Sequence, residues 1–179
     1  MSRRSTAFAV PLAILALGAE PTMAASMQSV AEAPLGITLQ IPAGAKIQPC
    51  KDEVRCIEVH GLLRGHATML LRLQAFDAPL ETVARDDADF DVIDGKWVTT
   101  AGPGMPSPVE TLYTPDWTEM RATIACGVSS AKSGFHAAGG ECLWAVLNHG
   151  KRSLLANTDD YANPQSVTAP MLASIRFLP

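Results

Sequence analysis

A two-residue alternation of side-chain polarity along residues 66–76 constrains this fold more than any other feature of the sequence. Apolar side chains recur there at every second position, and Arg72 and Gln74 lie between them. Successive side chains of a β-strand point to opposite faces of the sheet, so this period predicts a half-buried strand. Residues 117–128 repeat the pattern. On one face lie Met120, Ala122, Ile124, Cys126 and Val128, and on the other lie Glu119, Arg121 and Thr123.

Further strands are predicted along the chain, and most of them come in hairpins. Asp94-Gly95 and His149-Gly150 are the predicted turns of two hairpins, and Asp-Gly is a strong signal for such a turn. The other predicted strands span residues 36–42, 54–60, 97–100, 109–113, 141–148, 151–158 and 175–178.

Two short helices are predicted between these strands. The first has Asp77 as its N-cap and Pro79 in its first turn, and it runs to about Asp87. Its apolar stripe consists of Leu80, Val83 and Ala84. The second covers residues 164–173. We therefore expect an α+β fold: an antiparallel β-sheet with two short helices in a single disulfide-braced domain, not a doubly wound parallel sheet.

The first 24 residues have the layout of a secretory signal peptide. Arg3 and Arg4 precede an apolar run over residues 7–19, and small residues follow at 24–26. A membrane anchor is the alternative, but the run is shorter than the roughly 20 apolar residues that a spanning helix needs. We expect cleavage after Ala24 or Ser26, export to the periplasm, a flexible leader over residues 25–34, and the folded domain over residues 35–179.

Composition excludes two broad classes of protein. Hydrophobic residues make up 47% of the chain, which is too many for a disordered polar protein. The formal net charge of −4 argues against nucleic-acid binding, because a nucleic-acid binder needs a basic face to displace counterions.

The four cysteines favour local disulfides in an oxidising compartment. Cys50 and Cys56 flank a short polar segment, and Cys126 and Cys142 lie at the ends of two predicted strands. We predict the pairs Cys50–Cys56 and Cys126–Cys142, although four cysteines allow three connectivities. Zinc binding and redox catalysis are the alternatives, but the tight spacings typical of both are absent from the sequence.

The two ends of the predicted domain resemble the small PsbP- and DcrB-like domains. The resemblance rests on Gly-Ile-Thr-Leu-Gln-Ile-Pro at residues 36–42, on Ser-Ile-Arg-Phe at residues 174–177 after a helix, and on the order of elements. It implies a non-enzymatic envelope protein, such as an assembly factor or a partner-binding protein. It implies no catalytic residues.

Acidic residues are densest between Asp86 and Asp94. The alternating Asp87, Asp89 and Asp91 could present carboxylates to a hard cation, and calcium is the one cofactor that this pattern indicates. The segment is not an EF-hand loop, because Val92 and Val98 occupy the positions that require glycine and glutamate. One alternative is a solvated, acidic helix end with no ligand. Another is a surface for a basic protein partner, because acids at a helix C-terminus oppose the helix dipole and a positive charge would compensate them.

Residues 129–140 are rich in glycine, serine and alanine, which predicts a protruding loop between the third and fourth cysteines. Phe135 is its one large apolar side chain, and His136 adds a polar tip. These two residues are the predicted contact with a protein partner, with Asp87, Asp89 and Asp91 as the second candidate surface. A loop that only connects two strands is the alternative.

Catalytic motifs are absent from the sequence. It has four histidines, so a Ser-His-carboxylate arrangement remains open, but no Gly-x-Ser-x-Gly elbow is present. We expect a non-enzymatic periplasmic binding protein. Its most concrete form is an immunity protein that binds and neutralises an envelope-directed toxin delivered by type VI secretion. The alternatives are an envelope factor that binds a lipid or small ligand between sheet and helix, and a hydrolase with an unrecognised site.

Overall fold

The computed structural model describes residues 26–63, 65–100, 106–130, 134–158 and 165–179. Within these ranges the chain forms thirteen strands and two helices. The strands are β1 (Met27–Glu32), β2 (Ile37–Pro42), β3 (Lys46–Pro49), β4 (Cys56–Leu63), β5 (His66–Phe76), β6 (Phe90–Ile93), β7 (Lys96–Thr99), β8 (Ser107–Pro108), β9 (Glu110–Tyr113), β10 (Thr118–Ser130), β11 (Gly134–His149), β12 (Arg152–Asn157) and β13 (Arg176–Phe177). The helices are α1 (Leu80–Asp86) and α2 (Gln165–Ala173). The predicted signal peptide lies outside the described residues.

A seven-stranded sheet forms the centre of the structure, with its strands in the order β3-β4-β5-β12-β11-β10-β9. Two three-stranded sheets accompany it, β1-β2-β13 and β6-β7-β8. All strand pairs within these sheets are antiparallel. The prediction of an antiparallel sheet with two helices is confirmed, although the helices contribute only 7 and 9 residues.

Both faces of the central sheet are covered. On one face, a core is shared with the β1-β2-β13 sheet and α2, and it includes Ile37, Leu73 and Met171. On the other face, α1 and the β6-β7 hairpin form a second core around Val83 and Phe90. The alternation of a strand distributes its side chains between the two cores, which explains why neighbouring positions such as 154 and 155 are both buried.

Strand β1 corrects the prediction of a flexible leader over residues 25–34. Residues 27–32 pair along their full length with β2, and Met27 and Val30 pack against the core. The sequence of this segment lacks a clear alternation, but backbone N–H and C=O groups can pair with a neighbouring strand whatever the side chains are.

The prediction of a loop over residues 129–140 is also wrong at the positions of this segment that the structure describes, 129–130 and 134–140. Strand β10 extends to Ser130 and β11 begins at Gly134, with Ser129 opposite Phe135 and Val128 opposite His136. A shift in register between Cys126 and Gly127 marks an irregularity in the pairing. Small residues are poor core formers, but they do not prevent ladder hydrogen bonds, so a long hairpin forms where composition indicated a loop.

Helix α1 buries the predicted stripe of Leu80, Val83 and Ala84 but begins differently from the prediction. Its N-cap is Pro79, and no side chain caps the helix. The carboxylate of Asp77, the predicted N-cap, instead accepts a hydrogen bond of 2.6 Å from the guanidinium of Arg55. The carboxylate is therefore engaged by a cation from the segment before β4.

The predicted disulfide between Cys50 and Cys56 is confirmed, with a Cα–Cα distance of 5.3 Å. Cys142 is also disulfide-bonded and is buried. The side chain of its predicted partner, Cys126, lies outside the described part of the structure, so this second pairing stays a prediction. The register of the hairpin places Cys126 opposite Gly140, two positions along β11 from Cys142.

No helix in the described ranges has the length and apolar character that crossing a membrane would require.

Candidate functional site

A cleft of about 590 Å³ lies between helix α2 and the β9–β10 end of the central sheet. Its apolar wall is built by Leu112 from β9, Leu143 from β11 and Leu172 from α2, together with Trp117 just before β10. The indole N–H of Trp117 donates a hydrogen bond of 3.3 Å to the carbonyl of Ile175, just after the helix. This bond ties the segment after α2 to the start of β10 and so holds the cleft in shape.

Glu119 is the buried polar residue of this wall. Only 3% of its surface is exposed, and its Oε1 atom has no hydrogen-bond partner among the described residues. Burial raises the pKa of the Glu119 carboxyl above its ordinary value; the positive charge of Arg121 opposes the shift and the negative charge of Glu110 adds to it. An unpaired buried acceptor is costly, so the cleft offers an unused hydrogen-bonding position.

The register of the sheet explains why this carboxyl is buried. Glu119 is opposite Leu112 on β9 and opposite Leu147 on β11, and the three residues share the face on which α2 packs. The sequence assigns Glu119 to the polar side of its strand, which would be exposed in a sheet with one open face. The cover from α2 turns that side into an interior.

Arg121 lies at the rim of the cleft and is held by another acid. Its Nε and Nη2 groups donate hydrogen bonds of 3.2 and 3.1 Å to the same carboxylate oxygen of Glu110, across the β9–β10 pair. Its guanidinium is therefore directed to Glu110 and makes no hydrogen bond with Glu119. The rim carries a matched ion pair, and the interior carries an acid without one.

A second, smaller pocket of about 290 Å³ opens on the opposite face of the central sheet. It is lined by Arg72 and Gln74 from β5, Trp144 from β11, Leu155 and Asn157 from β12, and Asp87 at the end of α1. Asn157 is 8% exposed, and its Oδ1 atom has no hydrogen-bond partner in the described part of the chain.

The predicted acidic candidates are separated by the structure. Asp87 is the C-cap of α1 and lines the smaller pocket, whereas Asp89 is exposed just before β6 and Asp91 is exposed on β6. The Oδ1 atom of Asp91 accepts a hydrogen bond from the N–H of Val92. Across the described residues, the one group of three potential metal ligands within 4.8 Å is Cys50, Glu53 and Cys56, and its cysteines are disulfide-bonded. The three aspartates therefore do not converge as a calcium site would require.

Phe135 and His136 lie on β11 near the far end of the long hairpin, and their side chains lie outside the described part of the structure. Their role as a contact with a protein partner stays a prediction, and the two residues belong to a strand and not to a loop.

The two histidines whose side chains are described make no contact with a serine. His60 bonds to Glu58 at 2.9 Å, and the Nδ1 atom of His149 lies 2.6 Å from the carbonyl oxygen of Asp116. His149 also stacks on Phe177 with ring centroids 5.4 Å apart. The structure thus brings neither of them into the nucleophile–base arrangement of a serine hydrolase.

Sequence reasoning missed both the cleft and the smaller pocket. Glu119, Arg72 and Asn157 carry no local motif, and each is surrounded in sequence by ordinary strand residues. The one signal for Glu119 is an acidic residue in a strand that adjoins a tryptophan, and that signal alone does not locate a site.

No family model matches the chain, and no curated protein matches it. The resemblance to PsbP- and DcrB-like domains therefore stays a prediction from the two ends of the domain.

Proposed function

We propose that this chain is an exported, non-enzymatic binding protein and that the cleft between α2 and β10 is its ligand site. One observation carries the proposal: the buried Glu119 carboxyl lines an otherwise mostly apolar cleft and has a hydrogen-bonding position that no described residue fills. Concave, largely apolar sites with few well-placed polar groups are typical of small-molecule binding. We also propose that the exported protein is a single α+β domain and that the signal peptide before it is cleaved.

The chemistry of the wall defines the class of ligand. Leu112, Leu143 and Leu172 suit an aliphatic body, and Glu119 suits a group that donates a hydrogen bond. A protonated amine fits best, because hydrogen bonds to an ionised group are stronger than neutral ones and the charge would be shielded from water. We therefore infer a small ligand with a short apolar body and a primary ammonium group.

The same electrostatics exclude an anionic ligand. A carboxylate in the cleft would face the Glu119 carboxyl in a poorly solvated place, whereas the positive charge of Arg121 is already matched by Glu110. A bound ammonium favours the ionised form of Glu119, so its affinity should rise as the pH rises through the elevated pKa of that carboxyl.

Titration of the purified mature protein with hexylammonium, followed by NMR, tests this proposal. We expect saturable chemical-shift changes at cleft residues such as Leu143 and Leu172, weaker binding of hexan-1-ol and no binding of hexanoate. Glu119→Gln should weaken hexylammonium binding about 10- to 100-fold, the range for loss of a charged hydrogen bond. Glu81→Gln removes an exposed acid on α1 and serves as the matched control.

Two results would contradict the ligand site. One is the absence of saturable shifts at the cleft, and the other is equal affinity of the Glu119→Gln and Glu81→Gln proteins for hexylammonium. Export is tested separately, by N-terminal sequencing of the protein recovered from a periplasmic fraction, where the chain should begin at Ala25 or Met27.

A protein partner, including the toxin of an immunity pair, is the second candidate. The observation that favours it is the edge position of β9 in the central sheet, with Tyr113 81% exposed on that strand. An edge strand can accept a strand from a partner, and an exposed tyrosine can anchor it. Tyr113→Ser should then weaken binding of a purified partner without changing the binding of hexylammonium, and equal partner binding would contradict this candidate.

A further inference from the structure

Three side chains form a row across the central sheet on the face opposite the cleft. Asn157 on β12 is directly opposite Arg72 on β5 and directly opposite Trp144 on β11. All three line the smaller pocket. Residues far apart in sequence thus place a guanidinium, an amide and an indole side by side.

The amide at the centre of this row is buried and unused. Asn157 is 8% exposed, and its Oδ1 atom has no hydrogen-bond partner within the described residues. Gln74 places a second amide in the next row, opposite Leu155. Buried amides are ordinarily hydrogen-bonded, so this pocket has a polar floor with capacity for a ligand.

Asp87 lines the pocket from the end of α1. Desolvation raises the pKa of the Asp87 carboxyl, and the neighbouring Asp86 raises it further. On the opposite side of the pocket, the guanidinium of Arg72 is hydrogen-bonded to Glu53. The positive charge at this site is therefore already matched, and an anionic ligand gains little from it.

We propose that this pocket is a second binding site and that it takes one ring of a neutral, hydroxyl-rich ligand, such as a monosaccharide or the terminal sugar of a glycan. A hydroxyl both donates and accepts hydrogen bonds, which matches the mixture of amide and carboxylate groups from Asn157, Gln74 and Asp87. The indole of Trp144 offers a flat apolar surface for the C–H face of a sugar ring. A volume of about 290 Å³ is at the small end of ligand pockets, as a single ring requires.

The site is independent of the cleft at Glu119. The two lie on opposite faces of the sheet and have no lining residue in common. A variant of one site is therefore a control for the other, and either proposal can fail alone.

NMR titration of the mature protein with methyl glucoside, methyl N-acetylglucosaminide and glycine tests the proposal. We expect a saturable shift of the Trp144 indole N–H signal with at least one of the two sugars and none with glycine, a small zwitterion. Asp87→Asn should weaken sugar binding at least 5-fold, whereas Asp86→Asn, which changes the adjacent exposed acid outside the pocket, should not.

Asn157→Leu gives a second variant in which the buried amide is replaced by an apolar group of similar size. It should retain a cooperative unfolding transition and lose the sugar-dependent shift, while Glu119→Gln should retain that shift. The proposal is wrong if neither sugar gives saturable shifts at Trp144, if glycine binds more tightly than both sugars, or if the Asp87 and Asp86 variants bind sugar equally.

Discussion

Glu119 and Arg121 lie two positions apart on the same face of β10, yet the guanidinium of Arg121 bonds to Glu110 and not to Glu119. The ion pair lies at the rim, where water solvates both partners, and the unpaired acid lies inside. A chain selected only for stability gains nothing from an unpaired buried carboxyl, since an apolar residue of similar shape would cost less. The cleft therefore retains an acid that stability alone does not require.

Replacement of Glu119 by methionine should stabilise the fold. It removes a desolvated carboxyl whose Oε1 atom has no partner among the described residues, so we expect the free energy of unfolding to rise by about 1–2 kcal/mol. Urea denaturation at neutral pH measures this change, with Glu81→Gln on the exposed face of α1 as the control. A loss of stability would mean that the carboxyl makes a favourable interaction in the native state.

The pH dependence of stability should carry the signature of Glu119. Its pKa is raised in the folded state above the ordinary value of 4.5, so the native state binds the proton more tightly than the unfolded state does. The stability that the protonated Glu119 carboxyl contributes is fully present below the pKa of this group in the unfolded state. It is lost as the pH rises through the pKa of the group in the folded state. The difference in unfolding free energy between Glu119→Gln and wild type should therefore increase from about pH 4 upward, and a constant difference would contradict the raised pKa.

The Cys50–Cys56 disulfide should make a modest contribution to stability. On the chain-entropy argument, closing a loop this short stabilises the fold by about 2 kcal/mol. Denaturation of the Cys50→Ser, Cys56→Ser double variant measures the contribution, with the unsubstituted protein as reference. Non-reducing peptide mapping checks the second bridge, where a fragment joining Cys126 to Cys142 is expected and one joining Cys50 to Cys126 would contradict both pairings.

Calcium should not stabilise this protein. Asp87, Asp89 and Asp91 do not bring their carboxylates together, so the segment lacks the convergent oxygen ligands that calcium requires. Calcium at a concentration 100-fold above the dissociation constant of a single site would raise the free energy of unfolding by about 2.7 kcal/mol. Thermal melting in calcium and in chelator should give coincident curves, and a shift of that size would restore the metal hypothesis.

Substitution of Phe135 and His136 by alanine should leave folding intact and weaken the binding of a protein partner. The strand pairing at these positions is made by backbone groups opposite Ser129 and Val128, so it does not depend on the two side chains. Thermal melting and affinity for a purified partner are the two measurements, with Ser129→Ala in the same hairpin as the control. Undiminished affinity would show that the partner contacts other residues, and the acidic residues 86–94 would be the next candidate.

Local signals predict most elements of this fold. The alternation over residues 66–76 predicts β5 with its observed bounds, and the turn at Asp94-Gly95 joins β6 to β7 with positive φ at both residues. In both cases the information lies within a few residues, in an alternation or in a backbone preference. Segments without such a signal, including β1 and the far half of the β10–β11 hairpin, are not predicted from the sequence. They form strands because their backbone pairs with another strand.

The sequence by itself determined that this chain builds antiparallel hairpins with buried alternate positions, two short helices and a local disulfide. Only the tertiary structure decided which faces are covered, and hence that Glu119 is buried under α2 and that Asp87 joins Arg72, Trp144 and Asn157 around one pocket. The physical reason is that the two kinds of feature depend on interactions over different separations along the sequence. Strand period and turn preference act between neighbours along the chain, whereas burial and the meeting of distant side chains depend on strand order and register, which form through contacts far apart in sequence.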